Sequence, residues 1–173
     1  MNELIDSLQK RFHYYESVGI RAINQVPDEK LFWQYNEESN SIAIIVNHLH
    51  GNMLSRFTNF YTEDGEKPWR KRDDEFENLI HTKEELLKKW DEGWKTVFEV
   101  IDNLTPEKLS GEVTIRSEKH SVIDAINRQL THYAYHIGEI VYVAKMICGK
   151  NWQSLTIPKG KSEEFNRKMM GKG

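Results

Sequence analysis

Four segments of the chain carry apolar residues at the three- and four-residue spacing of an amphipathic helix. Pro27 ends the first of them, because the residue before a proline disfavours helical backbone angles. Ser41 is a predicted N-cap for the second. Thr82 and Glu85 form a capping-box sequence at the start of the third. The four predicted helices cover residues 3–26, 41–60, 82–104 and 121–149.

The connections between these helices are polar and unequal in length. Residues 62–81 are charged and irregular, and such a long connection is typical of a functional loop or of a crossover between distant ends of a helical bundle. We expect its charges to form a solvated surface, with Trp69 as a candidate lid. Thr105-Pro106-Glu107 predicts a short extra helical turn. Residues 112–116 alternate and predict a short extended segment.

The order of these segments predicts the fold class. At 173 residues the chain has the size of one domain. We predict an all-α fold: a four-helix bundle with a long connection between helices 2 and 3. The single domain would cover residues 1–173, with a C-terminal extension from about residue 150 that holds a weak helical stretch over residues 162–170.

Composition excludes several classes of function. The net charge is −3 with both signs interspersed, so no nucleic-acid surface is indicated. No apolar run is long enough to span a membrane, and the first residues carry no signal-peptide pattern. The only cysteine, Cys148, cannot form an intrachain disulfide, which favours a cytoplasmic protein. Its place in the apolar stripe of the fourth helix indicates a buried apolar residue and not a nucleophile.

The most informative motif is His132-Tyr133-Ala134-Tyr135-His136. Histidines four residues apart on a helix share one face with Cβ atoms roughly 5–6 Å apart, so both can reach one divalent metal ion. Seven histidines in the chain would give roughly 0.3 such pairs by chance, so the pair alone does not establish a site. His48 or His50 in the second predicted helix can add a third ligand. These two point about 200° apart, and periodicity leaves the choice open with a slight preference for His50.

Three histidines with an open fourth position are typical of a catalytic metal site. Zinc or nickel suits imidazole ligands best here, and iron is also compatible. Glu139 is a candidate proton acceptor, although an exposed helical carboxylate is the simpler interpretation. The candidates for orienting the ligands from a second layer are Glu139, Tyr133, Tyr135, Asn52 and Gln129. The remaining histidines, His13, His81 and His120, are expected at the surface or at helix ends.

Several segments together resemble the DinB/YfiT-like superfamily of metal-binding four-helix bundles, and more narrowly a branch of it without assigned function. The segments that carry this resemblance are residues 41–49, 51–53, 64–70, 132–138 and 154–160. The resemblance implies a three-histidine site in which the first ligand is His48, in place of His50, and the others are His132 and His136. Relatives often carry glutamine where this chain has Glu139.

The resemblance also implies candidate activities. Characterised members of the superfamily include transferases and isomerases that use low-molecular-weight thiols such as bacillithiol or mycothiol, and proposed metal-dependent hydrolases. We therefore expect a metal-dependent enzyme in which the metal activates a thiol or water for transfer to, or hydrolysis of, a small-molecule substrate. The alternatives are a non-catalytic metal-binding or stress-response protein and a purely structural bundle with satisfied core histidines. The expected partners are a small molecule and a second copy of the chain in a homodimer, without nucleic acid or membrane.

Overall fold

The computed structural model describes residues 1–171, and within them the chain is mostly helical. The helices are α1 (Asn2–Ile23), α2 (Ile42–Phe57), α3 (Lys83–Ile101), α4 (Pro106–Leu109), α5 (Val122–Cys148) and α6 (Ser162–Met170). A small sheet consists of β1 (Glu112–Ile115) and β2 (Glu118–Ser121). Short 3-10 turns occupy Asp28–Lys30, Asp73–Phe76 and Gly149–Asn151.

The predicted helix starts are confirmed by their caps. The Ser41 hydroxyl accepts a hydrogen bond from the backbone amide of Ile44 at 3.2 Å, which satisfies one of the free amides at the start of α2. Thr82 and Glu85 form the predicted capping box at the start of α3. The predicted end of the second helix, residue 60, was too late. α2 stops at Phe57, just before the left-handed residue Asn59.

The four long helices bury one continuous core. α1 contacts α3 and α5, and α2 contacts the same two helices. Trp90 and Trp94 lie in this core. Each large apolar side chain that is buried in this way contributes about 1.5–3 kcal/mol relative to an exposed position. The largest fully buried side chains include Tyr133, Phe12, Phe57, Ile23, Leu31, Ile42, Leu49 and Met53.

The hairpin between α4 and α5 is the exception to an all-α fold. Its first strand is the predicted extended segment, and it pairs antiparallel with β2. The two turn residues, Arg116 and Ser117, have φ angles of 55° and 64°, a left-handed conformation that normally favours glycine or asparagine. The Asp64 carboxylate holds this turn, because it accepts hydrogen bonds from the amides of Arg116 at 2.8 Å and Ser117 at 2.7 Å.

The connection between α2 and α3 is not the solvated surface that its charges suggested. Lys67 and Glu75 are buried, and so is the side chain of Arg70. The segment is fixed to the hairpin by the Gly65 amide, which donates to the Thr114 carbonyl at 2.8 Å. It is fixed to α2 by the Asn47 amide group, which donates to the Glu75 carbonyl at 3.0 Å. Mutual ion pairing explains the burial, since a charge can be buried when a partner compensates it.

Two further expectations concern single side chains. Trp69 is exposed and lies beside His50, away from the three-histidine cluster described below, so it is not positioned as a lid over that cluster. Cys148 is half-buried and not fully buried, and its thiol donates to the Gln25 carbonyl at 3.3 Å. Burial raises the pKa of the Cys148 thiol, which agrees with an unreactive residue. No helix in residues 1–171 has both the length and the hydropathy required to cross a bilayer.

Candidate metal centre

Three histidine side chains meet between α2 and α5. His48 Nε2 lies 3.2 Å from His132 Nε2, and His136 Nε2 lies 3.1 Å from that same atom. The candidate ligand atoms of the three residues all lie within 4.8 Å of one another. His48 and His136 are buried and His132 is half-buried.

The two helices supply these residues in different ways. His132 and His136 lie one helical turn apart on α5, as their spacing predicted. His48 reaches them from α2, whereas His50 points elsewhere and contacts Glu92 with Nε2 3.1 Å from Oε2. The structure therefore brings His48 into the cluster, and the slight preference for His50 from periodicity was wrong.

Two of the three imidazoles have a carboxylate on the ring nitrogen that faces away from the cluster. His48 Nδ1 donates to Glu75 Oε2 at 2.9 Å, and His136 Nδ1 donates to Glu139 Oε2 at 2.6 Å. When Nδ1 holds the proton, Nε2 carries a free lone pair, and this is the form of histidine that binds a metal. Glu139 is thus more than the exposed helical carboxylate that seemed the simpler interpretation. Burial alone would raise the pKa of Glu139, but the hydrogen bond from His136 holds it below its ordinary value.

Glu75 is the residue that the sequence pattern did not single out. It is held by Arg70, whose Nε and Nη2 donate to its two oxygens at 2.7 and 3.0 Å. Gly51 leaves room for it, because a Cβ atom there would lie 2.5 Å from Glu75 Oε1. Burial alone would raise the pKa of Glu75, but the hydrogen bonds from His48 and Arg70 and the charge of Arg70 hold it below the ordinary value. Glu75 is therefore an ionised carboxylate that fixes the orientation of His48.

His132 differs from the other two histidines. Its Nδ1 is buried and has no hydrogen-bond partner within residues 1–171. Burial lowers the pKa of His132 to about 3, and the neighbouring His136, His48, Arg70 and Arg56 side chains lower it further. The imidazole is therefore neutral near pH 7, and one of its nitrogens is free to coordinate a metal.

Two of the three distances between the candidate ligand atoms match those expected around a metal ion. Tetrahedral ligands at about 2.05 Å from zinc place neighbouring nitrogens about 3.3 Å apart, close to the 3.2 and 3.1 Å observed here. The Nε2 atoms of His48 and His136 are both hydrogen-bond acceptors, and a single proton on His132 Nε2 can be donated to only one of them. A cation at the point where the three nitrogens converge would satisfy all of them.

The other predicted orienting residues have different roles. The hydroxyl of Tyr133, which is fully buried, donates to Asn52 Oδ1 at 3.2 Å and contacts no histidine nitrogen. Tyr135 is exposed, with its ring centroid 4.6 Å from that of His136. Phe76, which the sequence did not indicate, stacks on His48 at 4.6 Å between centroids. The last of the five candidates, Gln129, is buried and lines a cavity of about 150 Å³ beside the cluster.

The fold and the cluster together define a helical protein with three converging histidines, two of which carry carboxylate partners. Residues 1–161 match a family described as protein of unknown function, DUF1572, and the chain belongs to that family. Comparison with curated proteins and with solved structures gives no match.

Proposed function

We propose that this protein binds one divalent metal ion through His48, His132 and His136. The observation that carries the proposal is the convergence of three Nε2 atoms from residues whose outer nitrogens are largely fixed by carboxylates. Such outer hydrogen bonds are the usual support of metal-binding histidines. Zinc or nickel is the proposed metal and iron is the second choice, because neutral imidazoles suit all three.

We further propose that the centre is catalytic, as in the thiol-dependent transferases and hydrolases of the DinB/YfiT-like bundles. A metal bound by three ligands would lower the pKa of a thiol or water at its open position. The support for catalysis is the cavity of about 150 Å³, because His48 and His132 both line it and a small substrate there would lie beside the centre. A small molecule, with a low-molecular-weight thiol as one reactant, is the proposed substrate class.

The chain's own residues would prepare this chemistry. Glu75 and Glu139 keep the Nδ1 protons on His48 and His136, so that the Nε2 atoms stay free for coordination. The side chain of Glu139 is 32% exposed, so it is also accessible as an acceptor for a proton released from a bound thiol or water. Phe76 stacks on one face of the His48 ring.

The first experiment is elemental analysis of protein purified without a histidine tag or added metal. We expect near-stoichiometric zinc, nickel or iron in the wild type and its loss in His48→Ala and His136→Ala. The matched control is His50→Ala, because His50 lies on the same helix outside the cluster and should leave the metal in place. Metal-free wild-type protein that also fails to bind metal on reloading would overturn the proposal and favour a structural bundle.

The second experiment tests catalysis with metal-loaded protein. We expect conjugation of a thiol to an electrophile, or hydrolysis of an ester or amide, in a panel that includes several low-molecular-weight thiols. The activity should disappear in His132→Ala and persist in His50→Ala. If the loaded wild type is inactive across the panel but retains its metal, the catalytic proposal fails and the non-catalytic metal-binding or stress-response alternative takes its place.

We also propose a cytoplasmic homodimer, formed by a single domain over residues 1–173 with a four-helix bundle at its centre. The support for a dimer is a group of exposed apolar side chains along α5, namely Tyr135, Tyr142 and Met146. Sedimentation analysis should give twice the chain mass for the wild type and a shift toward the monomer for Tyr142→Glu. A monomeric wild type at micromolar concentration would remove this part of the proposal.

A further inference from the structure

The cavity beside the three histidines is lined mainly by arginines. It has a volume of about 150 Å³, which is enough for one small ligand or several water molecules. Its lining consists of His48, Asn52, Arg56, Arg70, Arg72, Arg116, Arg128, Gln129 and His132. These residues come from α2, from the connection after it, from the hairpin turn and from α5, so only the folded chain assembles them.

Nearby carboxylates do not cancel the positive charge of this lining. Glu66 is shared by Arg56 and Arg116, each with a nitrogen 3.0 Å from its Oε2 atom. Arg70 is paired with Glu75. Within residues 1–171, the remaining two cavity arginines make neither an ion pair nor a side-chain hydrogen bond; they are Arg72 and Arg128. Even with Asp64 behind the hairpin turn, five arginines face three carboxylates.

Three of the residues that line this cavity also carry buried polar atoms without partners in the part of the chain that the structure describes. Residues 1–171 contain four buried side-chain nitrogen or oxygen atoms without a hydrogen-bond partner, and three of them belong to residues that line it. Arg70 contributes Nη1 on a side chain that is 2% exposed, and this atom lies 3.8 Å from Glu66 Oε1, too far for a hydrogen bond. The other two atoms are His132 Nδ1 and Gln129 Oε1.

The unpartnered His132 Nδ1 is informative in relation to the other two histidines. His48 and His136 each have a carboxylate on Nδ1, and His132 has none among residues 1–171. When Nε2 faces the metal position, Nδ1 carries the proton and needs an acceptor. His132 lines the cavity, so an anionic ligand that binds there and moves this ring slightly would give it the kind of partner that Glu75 and Glu139 give the other two.

We propose that this cavity binds a small oxyanion, the carboxylate or phosphate group of the substrate, beside the metal centre. The proposal rests on the proposed function, because it places the reacting part of the substrate at the three histidines. Arginine guanidinium groups bind both kinds of oxyanion through paired, charge-assisted hydrogen bonds. Gln129 Oε1 is an acceptor, so it favours a substrate whose anionic group lies near a hydroxyl or N–H donor.

The test measures binding of inorganic phosphate and of succinate to the full chain by calorimetry, at constant ionic strength set with sodium chloride. We expect saturable binding of at least one of the two probes, and the stronger probe identifies the phosphate or the carboxylate as the preferred group. The double variant Arg72→Gln/Arg128→Gln should weaken that binding at least tenfold. Arg167→Gln is the matched control, since Arg167 is an exposed arginine on α6 and should bind the probe like the wild type.

A second variant separates this inference from the metal proposal. His136 does not line the cavity, so His136→Ala should lose the metal and still bind the oxyanion within about threefold of the wild-type affinity measured after chelation of metal. Metal retention without binding of either probe would overturn the inference and leave the metal proposal standing. Equal weakening by Arg167→Gln and by the cavity variant would show general charge attraction and would also overturn it.

Discussion

The two histidine–carboxylate pairs of this protein have the same chemistry and different origins. His136 and Glu139 lie three residues apart on one helix, and the side chain of Glu139 is 32% exposed. His48 and Glu75 are 27 residues apart, on α2 and on the connection that follows it, and the side chain of Glu75 is 7% exposed. The first pair forms wherever the helix forms, and the second forms only when the connection packs against α2.

The two carboxylates therefore have different structural roles. Glu139 has His136 as its hydrogen-bond partner in the cluster and can adjust its position at the helix surface. Glu75 joins His48 to the buried guanidinium of Arg70, so it orients a ligand and neutralises a buried charge at the same time. The long-range pair should therefore couple the metal centre to the stability of the fold, and the local pair should not.

The largest effect is expected for Glu75→Gln. The substitution keeps the size of the side chain and leaves the buried Arg70 without its charge partner, so we expect a loss of about 3–5 kcal/mol in the free energy of unfolding. Metal affinity should fall by about 10- to 100-fold, because His48 loses its anionic partner. Urea unfolding and competition with a chromophoric chelator measure the two effects.

The matched control for that substitution is Glu92→Gln. Glu92 also contacts a histidine of α2, but that residue is His50, outside the cluster. We expect both stability and metal affinity to stay near the wild-type values. Equal effects of the two substitutions would contradict the special role of Glu75.

Gly51→Ala tests the pair of His48 and Glu75 by steric crowding, without changing any charge. A Cβ atom at Gly51 would lie 2.7 Å from Glu75 Cδ, so the carboxylate must move away from His48. Overpacking costs about 1–3 kcal/mol, partly offset by about 1 kcal/mol from the better helix propensity of alanine. We therefore expect about a tenfold loss of metal affinity with a net loss of stability of up to about 2 kcal/mol.

Gly138→Ala is the control for this second prediction. Gly138 lies on α5 beside the other pair, and a Cβ atom there meets nothing within 4 Å. This variant should gain stability from helix propensity and keep its metal affinity. If Gly51→Ala also gains stability and keeps its metal affinity, the close contact between residue 51 and Glu75 does not constrain the carboxylate.

Glu139→Gln should have a smaller effect. His136 would retain a neutral hydrogen-bond partner in place of an anionic one, so we expect metal affinity to fall by about tenfold at most. The free energy of unfolding should change by less than about 1 kcal/mol, since the side chain is partly exposed. A stability loss as large as that of Glu75→Gln, measured in the same urea titration, would remove the distinction between the two pairs.

The smallest effect concerns Glu66, on the exposed side of the connection that carries Glu75. Burial alone would raise the pKa of Glu66, but Arg116 and Arg56 hold it below its ordinary value of 4.5. A lowered pKa means that this carboxylate stabilises the fold above about pH 4.5 and loses that contribution as the pH falls further. Urea titrations should therefore show a constant stability difference between wild type and Glu66→Gln above that pH and a shrinking difference below it.

Local rules determined much of this protein from its sequence. Apolar spacing and the caps at Ser41 and Thr82 gave most of the long helices, because these signals involve residues within one or two turns. The same rule gave His132 and His136 as neighbours, since a helix places residues four apart on one face. The same rule places Glu139, three residues after His136, close enough to contact it.

The family resemblance had assigned His48 to the site, but the residue pattern by itself did not determine the rest of the centre. The α2 periodicity could not separate His48 from His50, because the choice depends on which face of α2 meets α5. Glu75 and Arg70 looked like surface charges, since their burial depends on each other and on space left by a glycine on another element. Contacts between distant segments leave no period in a single sequence, and for that reason the arginine cavity and the partner of His48 became visible only in the folded chain.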